Sequence, residues 1–374
     1  MPRAKNPFTP TFGMVPPILA GRDRIIEDMT RAFDDGPGNP NLSTLLVGAR
    51  GSGKTALLSC FAENAQTQGW VAANVVAAPG MLENVIQQLG RASAHLVEGE
   101  SKRKLSAVGI GQLLNLEWVF EHEGRANWRT RMDGLLDKLE EIGIGALITV
   151  DEVRVDVDEM IELVSTYQLF VREGRKVSLL MAGLPDRVTD LVDDDRITFL
   201  RRARLHRLGR IGDADVASAV RRTVEGAGKT ISDAALSLAV EAIGGFAYLV
   251  QLVGYFMWAE GENAPVLDER CAQRGVERAR DDFERSVLEA TYRGMSEGDL
   301  SFARAMLADE HESRLSDIAA RMGRGTNYAS TYKTRLFKQG VIEELPGRTF
   351  AFAIPLFREY LARGQRWSSE EEAR

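Results

Sequence analysis

The chain has 374 residues, 44% of them hydrophobic, with 54 acidic side chains against 47 basic ones and a net charge of -7. That length supports two or three domains, each with a sizeable core, and the acidic balance excludes a protein that coats nucleic acid over its whole surface. No apolar run approaches the ~20 residues of a membrane span, and the basic start Met1-Pro2-Arg3-Ala4-Lys5 lacks the apolar stretch of a secretory signal, so no membrane partner is expected and the cytosol is the expected compartment.

In chain order, the first informative run is Ser43-Thr44-Leu45-Leu46-Val47, an apolar stretch that predicts a buried strand. It leads into Gly48-Ala49-Arg50-Gly51-Ser52-Gly53-Lys54-Thr55, which fits the phosphate-binding pattern G-x-x-x-x-G-K-[ST]; the helix-forming run Thr55 to Ala62 follows. The glycines permit torsions that let successive backbone N-H groups converge on phosphate oxygens at the positive end of a helix. Lys54 is expected to place its ammonium on the β- and γ-phosphates, and the Thr55 hydroxyl to ligate Mg²⁺, a hard ion that prefers oxygen. A nucleoside triphosphate is therefore the expected ligand.

The next strand-like runs are Val71 to Ala77 and Ala146 to Val150, the second ending in Asp151-Glu152. A β-branched apolar run closed by two carboxylates reads as a central parallel strand that reaches the ligand edge of its sheet. Asp151 is the candidate Mg²⁺ holder, and Glu152 the candidate group that orients or deprotonates the attacking water. The other reading is a strand end running into an acidic surface loop, since Asp156, Asp158 and Glu159 follow. Val177 to Ala182 is a fourth strand-like run. Cys60, Cys271 and the four histidines His95, His122, His206 and His311 are scattered without metal-ligand spacing.

From about Gly209 the pattern turns helical, with Ala214 to Val224, Ser232 to Ala242 and Ala247 to Trp258 as amphipathic runs. Beyond Ser286, Leu315 to Gly323 predicts a helix and turn, and Tyr328 to Gln339 a second helix. Val341 to Leu345 and Thr349 to Ile354 form two strand-like runs joined at Pro346-Gly347. The polar run Ser368 to Glu372 has too few apolar side chains to offset its ordering entropy and reads as disordered. The expected divisions are 1–205, 206–285 and 286–374.

These motifs resemble the AAA+ and STAND-like P-loop ATPases, particularly bacterial and archaeal ATP-binding proteins related to origin-initiator ATPases. The resemblance implies an α/β fold in which a P-loop parallel-sheet domain carries a helical lid and a C-terminal winged-helix domain, with ATP and Mg²⁺ as cofactors and slow hydrolysis. Gly21 and Arg22, in Leu19-Ala20-Gly21-Arg22-Asp23, resemble the box that helps enclose adenine. Arg202, among Arg196, Arg201 and Arg204, stands where relatives supply an arginine finger to a neighbour in a homo-oligomer. Two departures stand out. Ala182-Gly183-Leu184-Pro185 lacks the polar residue that senses the γ-phosphate in relatives, and Gly244-Gly245-Phe246-Ala247-Tyr248 carries alanine where relatives often have proline. The winged-helix resemblance makes Arg324, Lys333, Arg335 and Lys338 the candidate contacts to double-stranded DNA, with Arg321 and Arg348 nearby. A winged helix that packs on protein is the alternative, and with it a signalling ATPase.

Overall fold

The computed structural model describes residues 5–11, 13–100 and 127–372, with the backbone alone for 94–100 and 365–372. Met1 to Ala4, His122 and the side chain of His95, named above, lie outside the described residues. Five strands form a parallel sheet: β1 (Ser43–Val47), β2 (Trp70–Val76), β3 (Gly145–Asp151), β4 (Val177–Gly183) and β5 (Arg204–Arg207), in the order β2-β3-β4-β1-β5. Period-2 alternation divides the central strands between two cores. Leu45, Val47, Ile148, Val150, Leu179 and Met181 face one cluster; Leu46, Leu147, Leu180 and Ala182 face the other, against Leu57, Leu58 and Phe61 of the helix Lys54–Thr67. Burial on both faces is why these strands read as unbroken apolar runs.

Sequence patterning anticipates four of the five strands. β5 is an edge strand whose Arg204, Leu205 and Arg207 are exposed, so it carries no apolar signature, and only its ladder to β1 identifies it. The arginine-rich stretch ahead of it is a 3-10 segment, Asp195–Arg202.

Four helices, Asp213–Gly226, Asp233–Ile243, Ala247–Glu260 and Glu269–Phe283, follow the sheet, tied by a parallel ladder of β6 (Thr230–Ile231) and β7 (Val266–Leu267). The N-terminal segment packs on these helices. Phe8 occupies the space left by Gly254, where a Cβ would lie 2.3 Å from its ring, and the Thr9 N-H donates to Gln251 Oε1 at 3.1 Å.

The C-terminal part contains the helices Glu297–Met306, Leu315–Arg321 and Thr326–Lys338 with an antiparallel sheet of β8 (Ser313–Arg314), β9 (Ile342–Leu345) and β10 (Thr349–Phe352), ordered β8-β10-β9. The second and third of these helices and the β9–β10 hairpin lie where the sequence predicts two helices and a pair of strands. One apolar cluster continues from the helices after the sheet into this region, from Phe8 to Leu361. The last helix, Phe357–Glu372, runs through the segment that reads as disordered; no glycine or proline follows Gly364 to stop it, and its glutamates are good helix formers.

Candidate functional site

The loop after β1 owes its shape to its glycines. Gly51 and Gly53 adopt φ of 75° and 91°, a left-handed conformation that side chains resist. Gly48 is needed for space: a Cβ there would lie 2.5 Å from Ser52 Oγ and 2.9 Å from the Leu208 carbonyl. The helix Lys54–Thr67 opens directly after Gly53, so its free N-H groups point into the loop. Lys54 Nζ donates to the Gly48 and Ala49 carbonyls, both at 2.8 Å. Burial lowers the Lys54 pKa to about 8, with Arg50 adding to the shift and Asp151 and Glu152 opposing it.

β3 delivers its carboxylates beside this loop. Thr55 Oγ1 donates to Asp151 Oδ2 at 2.5 Å, which brings together the two oxygens expected to share a cation. Glu152 then takes φ of 52°, unusual for a residue with a side chain, and its N-H donates to Asp151 Oδ1 at 2.8 Å. This turn lifts the chain off the strand and leaves the Glu152 side chain exposed at the sheet edge. The acidic run thus leaves β3 at the same edge of the sheet as the loop after β1.

A cleft of about 740 Å³ runs over these groups, lined by Arg50 to Thr55 and by Asp151 and Glu152. Its other end is mostly apolar, closed by Pro10, Met14, Pro16 and Ile18 from the N-terminal segment and by Ile211 and Val250 from the helical part, with Thr9, Thr11 and Gln251 among them. That division suits a ligand with a polyphosphate at one end and a flat ring at the other. Arg22 lines the cleft and donates through Nη2 to the Gly209 carbonyl at 3.0 Å; burial lowers its pKa, with Asp215 opposing. Gly21 lies behind it, with φ of 64°, where a Cβ would stand 3.0 Å from Ile211 Cγ2.

The helical part grips the loop directly. Tyr248 N-H donates to the Gly51 carbonyl at 3.1 Å, and the Phe246 ring fills the space where a Gly51 Cβ would fall, 2.7 Å from its Cζ. Gly245 has φ of 74° and accepts from the Ile211 N-H at 2.8 Å; a Cβ on it would lie 2.5 Å from the Ile211 carbonyl. Ala247, in the place where proline is common, abuts Gly53.

Other predicted residues lie elsewhere. Arg202 is exposed at the end of its 3-10 segment and does not line the cleft. Arg324 stacks over Tyr328, Lys333 lies over the Phe350 ring, and the remaining two cations pair with acids: Arg335 Nε with Asp299 Oδ2 at 3.2 Å, Lys338 Nζ with Asp190 Oδ2 at 3.7 Å. Asp190 belongs to the helix Pro185–Asp193 after β4, so the C-terminal half of the basic helix sits on the sheet domain.

Sequence reasoning misses Arg187, on that same helix, which lines the cleft. It also misses Thr9, Pro10, Thr11, Gly13 and Met14 of the N-terminal strap, which line the cleft but show no ligand-binding pattern. The signal for Arg187 was available: it lies four residues beyond the end of β4, the edge at which parallel sheets collect ligands.

Comparison with solved structures places the whole architecture. The Walker-type ATPase PABY2304 of Pyrococcus abyssi aligns over 94% of this chain and 100% of its own, at 16% identity and a TM-score of 0.65. The ADP form of the ORC2 protein of Aeropyrum pernix aligns over 95% of this chain and 96% of its own, at 16% identity and a TM-score of 0.54. The chain shares its fold with these two proteins over nearly its whole length. In sequence, residues 285–361 match a family model described as Domain of unknown function (DUF8462), and no curated protein matches the chain. Among the described residues, no helix is long and apolar enough to cross a membrane.

Proposed function

We propose that this chain is an ATP-binding and ATP-hydrolysing switch, with a P-loop core whose end, expected at 205, moves past β5 to 207, residues 208–285 as its lid and 286–374 as a winged-helix domain and tail. The observation that carries this reading is the convergence of Lys54, Thr55, Asp151 and Glu152 at one end of a single cleft whose other end is mostly apolar. Gly48 to Thr55 hold the phosphates, chiefly through backbone N-H groups and the Lys54 ammonium, while Gly21 and Arg22 support the base end. The paired oxygens of Thr55 and Asp151 suit Mg²⁺, which when bound neutralises phosphate charge. Glu152 takes the proton of the attacking water. Hydrolysis is slow, because β4 ends in Ala182 and Gly183 and offers no polar side chain to the cleft. Arg202 acts on the nucleotide of a neighbouring copy, which accounts for its exposure outside its own cleft.

The test is equilibrium binding of ATP and its turnover by the unsubstituted chain and by Lys54→Ala. Removing a charge-assisted contact worth ~1.5–3 kcal/mol weakens binding by about tenfold or more while leaving the thermal unfolding transition in place. Equal affinity in the two proteins refutes the assignment.

Double-stranded DNA is the proposed partner, bound through Arg324, Lys333, Arg335 and Lys338 of one helix and its approach. The support is their clustering within a chain that is otherwise acidic. The ion pair of Lys338 with Asp190 favours a second reading, in which the helix makes protein contacts on the chain's own core, while Arg335 pairs with Asp299 within the C-terminal part itself. Duplex binding measured against salt separates the two, because each phosphate contact steepens the loss of affinity with ionic strength.

A further inference from the structure

Two cavities share one wall. Beside the nucleotide cleft lies a second cavity of about 500 Å³, between the sheet domain and the basic helix Thr326–Lys338, and Arg50, Leu184 and Arg187 line both. Across the second cavity stand Thr331, Thr334, Arg335 and Lys338.

The chain's local rules put Arg187 at this wall. Gly183 ends β4, and no side chain fits there, since a Cβ would lie 2.7 Å from Val153 Cγ2. Leu184 turns the chain, Pro185 starts the next helix, and Arg187 leaves its first turn at the sheet edge. Its side chain is 45% exposed and makes one ion pair among the described residues, Nε to Asp186 Oδ2 at 3.8 Å, too long for a hydrogen bond. Asp186 is itself buried, and its Oδ1 has no hydrogen-bond partner among the described residues. Burial pushes its carboxyl above the usual range, opposed by the backbone N-H groups of Arg187 and of Asp186 itself and then by the charges of Arg187 and Lys338.

We propose that Arg187 reads the γ-phosphate and relays it to the basic helix, turning between the nucleotide cleft and the second cavity whose walls it shares. This rests on the ATP reading. A guanidinium fork with no hydrogen bond of its own gains several from phosphate oxygens. Its turn into the cleft removes a like charge facing Arg335 and Lys338, and it leaves the Asp186 carboxylate to Lys338. A triphosphate therefore holds the basic helix more tightly on the sheet domain than a diphosphate does. The γ-phosphate is the chemical difference between the two ligands, so the whole coupling must come from contacts that it alone makes. Arg187 thereby supplies, from the following helix, a cation that β4 lacks.

The experiment titrates ADP and the β,γ-imido analogue of ATP into the full chain, Arg187→Ala and Arg187→Lys, and follows amide hydrogen exchange of Thr331 to Gln339 with each nucleotide. In Arg187→Ala the analogue binds about tenfold to a hundredfold more weakly while ADP affinity stays the same, the fold-change of one charge-assisted phosphate contact. Arg187→Lys recovers part of that loss, because it keeps the charge without the fork. Exchange in Thr331 to Gln339 is slower with the analogue than with ADP in the unsubstituted chain, and the difference vanishes in Arg187→Ala. Equal weakening of both nucleotides, or a nucleotide-dependent exchange difference that survives in Arg187→Ala, overturns the proposal alone. A chain that binds neither nucleotide before substitution refutes the ATPase reading as well.

Discussion

Gly51→Ala isolates the coupling between the phosphate loop and the lid, because two separate penalties meet at that position. At φ of 75° an alanine pays ~1–2 kcal/mol for the left-handed conformation. Its Cβ also falls 2.7 Å and 2.8 Å from Cζ and Cε1 of Phe246, a ring that is 8% exposed and set edge-on to Phe283 at 6.1 Å, with little room to retreat. Overpacking of this kind costs a further ~1–3 kcal/mol. The sum, ~2–5 kcal/mol, acts against one local arrangement rather than the global fold, since the loop can relax away from the lid; nucleotide affinity should then fall by about thirtyfold or more. Gly36→Ala provides the control. Its φ of 71° and ψ of -153° lie in a region essentially reserved for glycine, with nothing within 4 Å of its Cβ, so alanine there carries a torsional cost at least as large without the collision and outside the cleft. Calorimetric titration with ADP and thermal unfolding of both variants test the reasoning. Unchanged affinity in Gly51→Ala, or an equal loss in Gly36→Ala, refutes it.

Glu152→Gln keeps the side-chain shape but cannot accept a proton, so it should retain ATP affinity and lose turnover by about a hundredfold or more; near-normal turnover would assign the water to another group. Lys54 should make nucleotide affinity fall as pH rises through about 8, because the free chain then sheds a proton that the phosphate-bound state keeps. Calorimetry in buffers of different ionisation enthalpy should show proton uptake above that pH, absent in Lys54→Ala. The same depressed pKa lies below the ordinary value of a lysine, so its cost to folding is full below about 8 and is released as pH rises towards the unfolded value. Changing Lys333, Arg335 and Lys338 together to alanine should weaken duplex binding and lower the salt slope by about one per lost phosphate contact, with basal ATP turnover retained; an unchanged slope would leave the helix facing protein.

The legible parts of this chain are those whose physics is local. The phosphate loop can be read because its glycines, lysine and threonine each answer a need of the ligand within eight consecutive residues, Gly48 to Thr55. β1, β3 and β4 can be read because central strands buried on both faces are largely apolar, and the edge strand β2 because its buried face still carries an apolar run. β5 escapes because an exposed edge strand with the sequence Arg204-Leu205-His206-Arg207 is identified by what it pairs with. The same holds for Thr9, Pro10, Thr11, Gly13 and Met14 of the N-terminal strap, whose own sequence says nothing of the helix Ala247–Glu260 that the strap meets. Arg187 differs, since its place four residues beyond β4 marks the edge at which parallel sheets collect ligands. The pairing of Lys338 with Asp190 is also invisible, and it changes the meaning of a basic cluster from a free surface to one already half engaged.

The cores suggest how nucleotide occupancy could act at a distance from the chemistry. The sheet keeps two clusters of its own, while the helices after it, the N-terminal strap and the C-terminal part share a third that runs from Phe8 to Leu361. The cleft lies where the first body meets the second, and beside the loop Gly48 to Thr55 the direct contacts across it are few among the described residues, chiefly Tyr248 N-H to the Gly51 carbonyl and the Phe246 ring on Gly51. A ligand touching both sides therefore adds contacts at a sparse seam, and small differences at its phosphate end weigh against a small number of competing bonds. The second seam, where Lys338 faces Asp190 and Arg187 stands beside Asp186, belongs to the same pair of bodies. Because the third cluster is continuous, motion of the lid against the phosphate loop must be met by motion of the basic helix against the sheet domain or by breaking that cluster. Repacking buried side chains is the costlier course, so the two seams are expected to open and close together.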